Sequence, residues 1–204
     1  MGENNPWVLL LLLGGAAYAA KLWCHDFRAA RSGLPSPHPL PGATPASRFA
    51  IGLAVIGAVV LLAAETAGEY ALGLVEQQSR ITVLFGGYTL AAAFLEELIF
   101  RGFVVIEHRG RAALVAGVIG ASLLFALLHP FLWQWENGQL TWQTDAKAWF
   151  STGMVFGGSL WFYAVRFWKL NPTRSLLPCM AAHATKNLGV FLIKYAQGFV
   201  DGWW

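Results

Sequence analysis

A chain of 204 residues with 56% hydrophobic and only 12% charged side chains has too little polar surface to cover a water-soluble domain, which places it in the membrane class. Its formal charge of +3 is too small to argue for nucleic acid, and the basic residues fall between apolar runs instead of forming a stripe. The two cysteines, Cys24 beside the first apolar run and Cys179 inside the last, suggest no disulfide framework and read as free thiols.

The segment from Met1 to Pro6 carries Glu3 and no Lys or Arg, whereas a secretory signal needs a positive region before its apolar core. Ala17-Tyr18-Ala19 resembles a cleavage site, but Lys21 follows on the wrong side, so the first run is read as a retained span. Gly2 would suit myristoylation, yet Pro6 stands where that motif wants Ser or Thr.

Crossing hydrocarbon takes about 20 mostly apolar residues as helix, because backbone groups in lipid must pair within their own segment. Six runs qualify, at roughly 7–23, 49–73, 81–106, 112–132, 147–168 and 175–197, the first being short. The expected fold is all-α, a polytopic transmembrane helical bundle of about six spans without internal repeats. The chain divides into a first span with a Pro-rich linker (1–48) and a second span with a short external loop (49–80). A helical core (81–197) and a Trp-rich tail (198–204) follow.

Lys21, Arg28, Arg31 and Arg48 flank the first long loop, Arg109 and Arg111 the third, and Arg166, Lys169 and Arg174 the fifth. The positive-inside rule makes those loops cytoplasmic. Alternate segments carry Glu3, Glu69, Glu76, Glu136, Asp145 and Asp201, with only Arg80, Lys147 and Lys194 as basic residues, so both termini are expected outside.

Pro35, Pro37, Pro39, Pro41 and Pro45 cannot hold a helix and read as an extended linker. Trp133, Trp135, Trp142 and Trp149 near span ends read as interfacial belts. Gly153 and Gly157 give the fifth span a small face for close helix packing.

Charges inside a span are expensive, so Glu96, Glu97 and Arg101 in the third span need partners or a function. Glu97 and Arg101 are four apart with the carboxylate first, the favourable order for an ion pair. Glu96 points about 100 degrees away and is left free, although both carboxylates could share Arg101 as packing glue. His129 precedes Pro130, which interrupts the fourth span; a lone His at such a boundary is ordinarily interfacial. His183 and Asn187 share a helical face in the sixth span, where Asn187 alone would read as helix-to-helix glue.

These residues leave several readings open. A Glu and two His could bind zinc, yet no His-Glu-x-x-His pair occurs and the donors come from three spans. Cys179 lies one turn before His183, as a thiol enzyme would need, but a small buried Cys is ordinarily filler. A carrier could use Glu96 as a proton relay, though it would more often show paired broken helices in two related halves. A scaffolding or immunity factor has no need for four convergent polar groups.

Glu96-Glu97-x-x-x-Arg101, Phe125-x-x-x-His129 and His183-x-x-x-Asn187 follow in that order on successive spans. Arg101-Gly102-Phe103 comes after the first, and Ser175-Leu176-Leu177-Pro178 leads into the third. Together they resemble the three motifs of the CAAX protease and bacteriocin-processing family, the glutamate-type intramembrane proteases, over residues 81–197. The resemblance implies a helical bundle in which Glu96 and His129 activate water, His183 and Asn187 stabilise the oxyanion, and Glu97 and Arg101 support the site. It implies no metal and no cofactor. The substrate would be a membrane-anchored protein or peptide cut near its C-terminus, and the protein a multi-pass one of the bacterial inner membrane.

The residue types suit that chemistry. Peptide hydrolysis needs a base poised near the operating pH, as Glu96 and His129 could provide, and donors where negative charge develops, as His183 and Asn187 could. At about 1.5 Å per residue, Glu96 and His183 lie roughly 12–17 Å from the cytoplasmic face and His129 about 25 Å. A fourth helix that tilts or extends into the cytoplasm is therefore expected. With the basic loops inside, Cys24 lies at the cytoplasmic surface, and an impermeant thiol reagent applied to intact cells is expected to leave it unlabelled. Efficient labelling there would overturn the topology.

Overall fold

The first helix, α1 (Pro6–Arg31), begins on Asn5, whose side chain accepts from the Trp7 amide, with Pro6 in the first-turn position that needs no amide. The computed structural model describes residues 5–34, 36–107, 109–136 and 138–204. Gly2, Glu3, Pro35 and the side chain of Glu136, all used in the sequence reading, lie outside the described residues.

Side-chain caps also open α2 (Arg48–Ala71) at Ser47, α3 (Val83–Glu96) at Thr82 and α5 (Ala146–Phe167) at Asp145. A short 3₁₀ turn, Val75–Gln77, precedes α3, and a π-helical turn, Glu97–Phe103, continues it. The remaining helices are α4 (Arg111–Leu128) and α6 (Leu177–Ala196).

The chain is an all-α integral membrane protein. Four helical stretches, Pro6–Arg31, Arg48–Ala71, Val83–Phe103 and Arg111–Leu128, are long and apolar enough to cross a membrane. The fifth and sixth expected spans are helices of 22 and 20 residues, but their composition is more polar. They carry Arg166, His183, Lys186, Asn187 and Lys194.

Where the sequence ran the fourth span to 132, α4 stops at Leu128, because Pro130 cannot continue the helix and drives His129 into an extended conformation. Trp133–Glu136 (β1) and Gln139–Trp142 (β2) then form an antiparallel hairpin in which Trp133 pairs with Trp142 and Trp135 with Leu140.

Small residues set the helix spacing, as expected where lipid gives no hydrophobic drive between helices. Ala50, Ala54 and Ala58 form a fully buried stripe on α2. A Cβ at Gly189 would stand 2.2 Å from Leu62, and one at Gly86 2.3 Å from the Phe191 ring. Gly153 and Gly157, expected to supply a packing face on α5, have nothing within 4 Å of a Cβ position.

The Pro-rich segment is docked against the bundle. Gly42, with φ of 61°, accepts from the Leu176 amide at 3.0 Å, and a Cβ there would stand 2.5 Å from the Leu176 side chain. Pro41 accepts from Trp23 Nε1 at 3.1 Å, and the Leu40 amide donates to Asp26 at 2.9 Å. Asn171 pins the turn beneath, donating to the carbonyls of Val165, Arg166 and Ser175 and accepting from the Ser175 amide. At the other end the tail clasps α3. The carbonyls of Gly202 and Trp203 accept from the first amides of α3, Val83 and Leu84, and Arg80 pairs with Asp201.

Charges counted toward the external side at span ends, Glu69, Lys147 and Lys194, are largely enclosed: Glu69 pairs with Lys147 and accepts from Gln78, while Lys194 donates to the Ser79 carbonyl at 2.6 Å. A further pair joins α2 to α6, with Glu65 and Lys186 2.7 Å apart. Removing one partner of an enclosed ion pair strands the other charge, at about 3–5 kcal/mol. Glu65→Gln and Lys186→Met are therefore each expected to lower the thermal unfolding midpoint in detergent, and the combined variant to lie above either single one. A double variant as unstable as the sum of the singles would refute the pairing.

Candidate active site

Glu96 ends the regular part of α3 and Glu97 begins the π-helical turn, so the two neighbouring carboxylates face different surroundings. Glu97 and Arg101 are wholly buried, with Nη1 3.1 Å from Oε1, whereas the Glu96 side chain keeps 31% of its surface. The Glu97 carboxylate also takes a hydrogen bond from His183 Nδ1 at 2.7 Å. One oxygen thus ties α6 to the π turn.

Arg101 is enclosed by rings. Its guanidinium lies 4.7 Å from the centroid of Phe125, 4.8 Å from Tyr163 and 5.2 Å from Phe162. It donates to the Ser159 hydroxyl at 2.6 Å, and that hydroxyl donates to Ser122 at 3.0 Å. The π turn leaves carbonyls without regular helical partners, and the Tyr163 hydroxyl donates to that of Phe100 at 2.6 Å. Arg166 Nε donates to the Arg101 carbonyl at 3.2 Å.

His183 stacks on Phe162 with ring centroids 4.6 Å apart. With Nδ1 committed to Glu97, its Nε2 faces Glu96, whose Oε2 is 3.6 Å away, farther than a direct hydrogen bond. Asn187, one turn on, donates to the Thr89 carbonyl of α3 at 2.9 Å. His129 Nδ1 lies 2.8 Å from the Phe125 carbonyl; a carbonyl only accepts, so Nδ1 is the donor and Nε2 is the nitrogen left free.

Phe125 contacts both histidines, at 4.8 Å from His129 and 6.1 Å from His183 between centroids. The rings of Phe100 and Phe125 meet edge to face at 4.9 Å, and Ile106 packs over Gly117. Those two contacts run in opposite directions along the chain. They set α4 antiparallel to α3 and slide it so that its first turns project past Phe103. From the Phe100–Phe125 contact, Glu96 lies four residues back and His129 four residues on, each about 6 Å in the same direction. The slide removes the depth difference that counting from a common face had left between His129 and Glu96.

Ser122, Ser159, Tyr163 and Thr89 were absent from the sequence reading, and so was the Glu65–Lys186 pair beside His183 and Asn187. The rule that flagged Glu97 and Arg101 would have flagged Glu65 and Lys186 as well, since both lie within helices of span length. Cys179 is fully enclosed, its thiol donating to the Phe162 carbonyl. Among the described residues, no three His, Cys, Asp or Glu side chains are grouped as metal ligands would be.

A family model described as type II CAAX prenyl endopeptidase, Rce1-like, matches residues 78–189, just over half of the chain. The matched stretch contains Glu96, Glu97, Arg101, His129, His183 and Asn187, and it leaves α1 and α2 outside. No curated protein and no solved structure matches.

Neutralising Glu97 leaves a guanidinium with neither water nor a counter-charge. Glu97→Gln is expected to lower the yield of folded protein, through a loss of about 3–5 kcal/mol, as measured by the monodisperse fraction and the unfolding midpoint in detergent. A variant that folds as well as the parent would remove the ion pair from its supporting role.

Proposed function

The chain belongs to the Rce1-like type II CAAX prenyl endopeptidase family, a family of membrane proteases, and on that premise we propose that it is a glutamate-type intramembrane endopeptidase. It hydrolyses a peptide bond in a membrane-anchored protein or peptide, near its C-terminus. It works in the bacterial inner membrane, with the basic loops in the cytoplasm. The observation that carries this reading is the contrast between two adjacent carboxylates. Glu97 is sealed against Arg101, while Glu96 stays open within reach of His183.

In the proposed reaction, Glu96 takes a proton from water, which the free Nε2 of His129 orients by accepting its other hydrogen, as the water oxygen attacks the scissile carbonyl. The carbonyl electrons move onto oxygen, and the resulting oxyanion is met from the α6 face by Asn187 and by His183, which carries a proton on each ring nitrogen so that Nδ1 holds Glu97 while Nε2 donates. Collapse of the tetrahedral intermediate breaks the C–N bond, and the proton taken from water passes to the departing amine. An amide group has two N–H bonds, so Asn187 can hold Thr89 with one and offer the other to the oxyanion. Glu97 and Arg101 act by position, fixing the His183 ring.

The direct test incubates purified protein with a library of membrane-anchored C-terminal tails, prenylated and unprenylated, and reads cleavage by mass spectrometry. Cleavage is expected, and Glu96→Gln, which keeps the side-chain shape, is expected to abolish it without loss of folded protein. Chelators and thiol alkylation should leave most activity. Loss on chelation with recovery on added zinc would replace the proposed mechanism by a metal one.

The Thr89 hydrogen bond gives Asn187 a competing role as a helix tie. As an oxyanion donor, Asn187→Ala should lower kcat by roughly 100- to 1,000-fold with little change in KM. As a tie alone, it should cost about 1 kcal/mol or less of stability with kinetics intact in the folded fraction. Measuring kcat, KM and unfolding on one preparation separates the two, and full kcat in the alanine variant would take Asn187 out of the site.

A further inference from the structure

The fourth helix ends where the candidate site begins. α3 and α6 continue past Glu96 and His183, to Val83 and Ala196, for about 20 Å, while α4 stops at Leu128. On that side the chain between α4 and α5 is the hairpin. β1 starts four residues after His129, Trp133 Nε1 donates back to the Leu127 carbonyl at 2.7 Å, and Asp145 caps α5 soon after β2. The Phe131 ring lies parallel to that of His129 at 6.1 Å. The hairpin is therefore continuous with the site through the residues next to His129.

Its backbone has a defined open edge. The Gln143 amide donates to the Leu132 carbonyl at 2.9 Å, which makes that a bonded pair of the antiparallel ladder. Bonded and non-bonded pairs alternate, so Gln134 and Thr141 bond each other, while Trp133, Trp135, Leu140 and Trp142 turn their amides and carbonyls outward. Among the described residues, no backbone group pairs with those outward atoms. The same four residues present one apolar face, with Trp135 and Trp142 each 68% exposed.

An open strand edge is poorly tolerated at membrane depth, where no water replaces the missing partner, so this one needs an occupant. A scissile peptide bond must also leave the helical state, whose amides are paired and shielded, before water can attack it. Building on the protease reading, we propose that the free edge of β1 takes up an extended stretch of the substrate chain as an added strand. It pairs with the backbone at Trp133 and Trp135 and delivers the chain to His129. Backbone pairing reads shape more than side chains, so recognition tolerates varied sequences, with the aromatic face contacting alternate side chains. Trp133 is four residues from His129 and the chain turns between them, so the cleaved bond should fall no more than about four residues from the nearest paired position.

The test reads binding to the full chain in nanodiscs, with a fluorescent eight-residue Thr-Val peptide that carries a central benzophenone, and with its fully N-methylated counterpart. The first peptide is expected to bind saturably and to cross-link within residues 131–136, and the methylated one to bind at least about tenfold more weakly, for want of donors. Trp135→Pro removes an outward amide but no ladder bond and should weaken binding similarly. Equal binding of both peptides, or cross-links elsewhere in the wild-type chain, would overturn the proposal. Nanodiscs that hold two copies of the chain and bind neither peptide would also overturn it, assigning the edge to self-association. Cleavage is not read. A chain that binds the strand yet never cuts a tail sinks the protease reading alone, and one that cuts tails without engaging β1 sinks only the added strand.

Discussion

A guanidinium and a carboxylate with no access to water form the constraint on which the core depends. Neither charge is tolerable alone in hydrocarbon, so every side chain around Arg101 and Glu97 has to serve as partner or wall. Phe125 of α4, Phe162 and Tyr163 of α5, and His183 of α6 all converge there, and Ser159 and Ser122 extend the polar contacts between α5 and α4. Four helices are thereby fixed at one depth by a single pair. The π turn belongs to the same arrangement, since its widened backbone frees carbonyls to which the Tyr163 hydroxyl donates.

The division of the helices follows. α1 to α4 are apolar enough to face lipid over most of their surface, while α5 and α6 give up apolarity to carry the polar side chains that meet in the middle. Ion pairs recur on these two helices, at Lys147 with Glu69 and at Lys186 with Glu65. Both acidic partners come from α2, which the family match does not cover, so that helix contributes the counter-charges that keep the matched segment neutral inside.

Six helices and the pairing of Glu97 with Arg101 were legible in the sequence because both rest on local rules, namely run length and a four-residue spacing. What was not legible depends on chain segments far apart in sequence. The Pro-rich stretch showed its inability to form helix but not its seat on Leu176, which only the turn pinned by Asn171 creates. The Trp residues of the hairpin read as belts, since their alternation in β1 and β2 is too short to outweigh the apolar run before it. The levelling of His129 with Glu96 came from the slide of α4, set by Phe100 against Phe125, and no count from a shared membrane face contains that offset.

The clasp on α3 bears on the order in which the molecule can be assembled. The first amides of the helix that presents Glu96 find their acceptors at Gly202 and Trp203, and Ile81 pairs with Val200, so each partner is made 119 residues after the group it meets. Closing so long a loop has an entropic cost that no local contact can offset in advance. The third helix can therefore enter the bilayer early, but its first turn is completed only after α6 has formed and residues 200–203 have folded back. Insertion comes first and completion of the candidate site afterwards, so the nascent protein spends an interval in the membrane before His183 reaches Glu97.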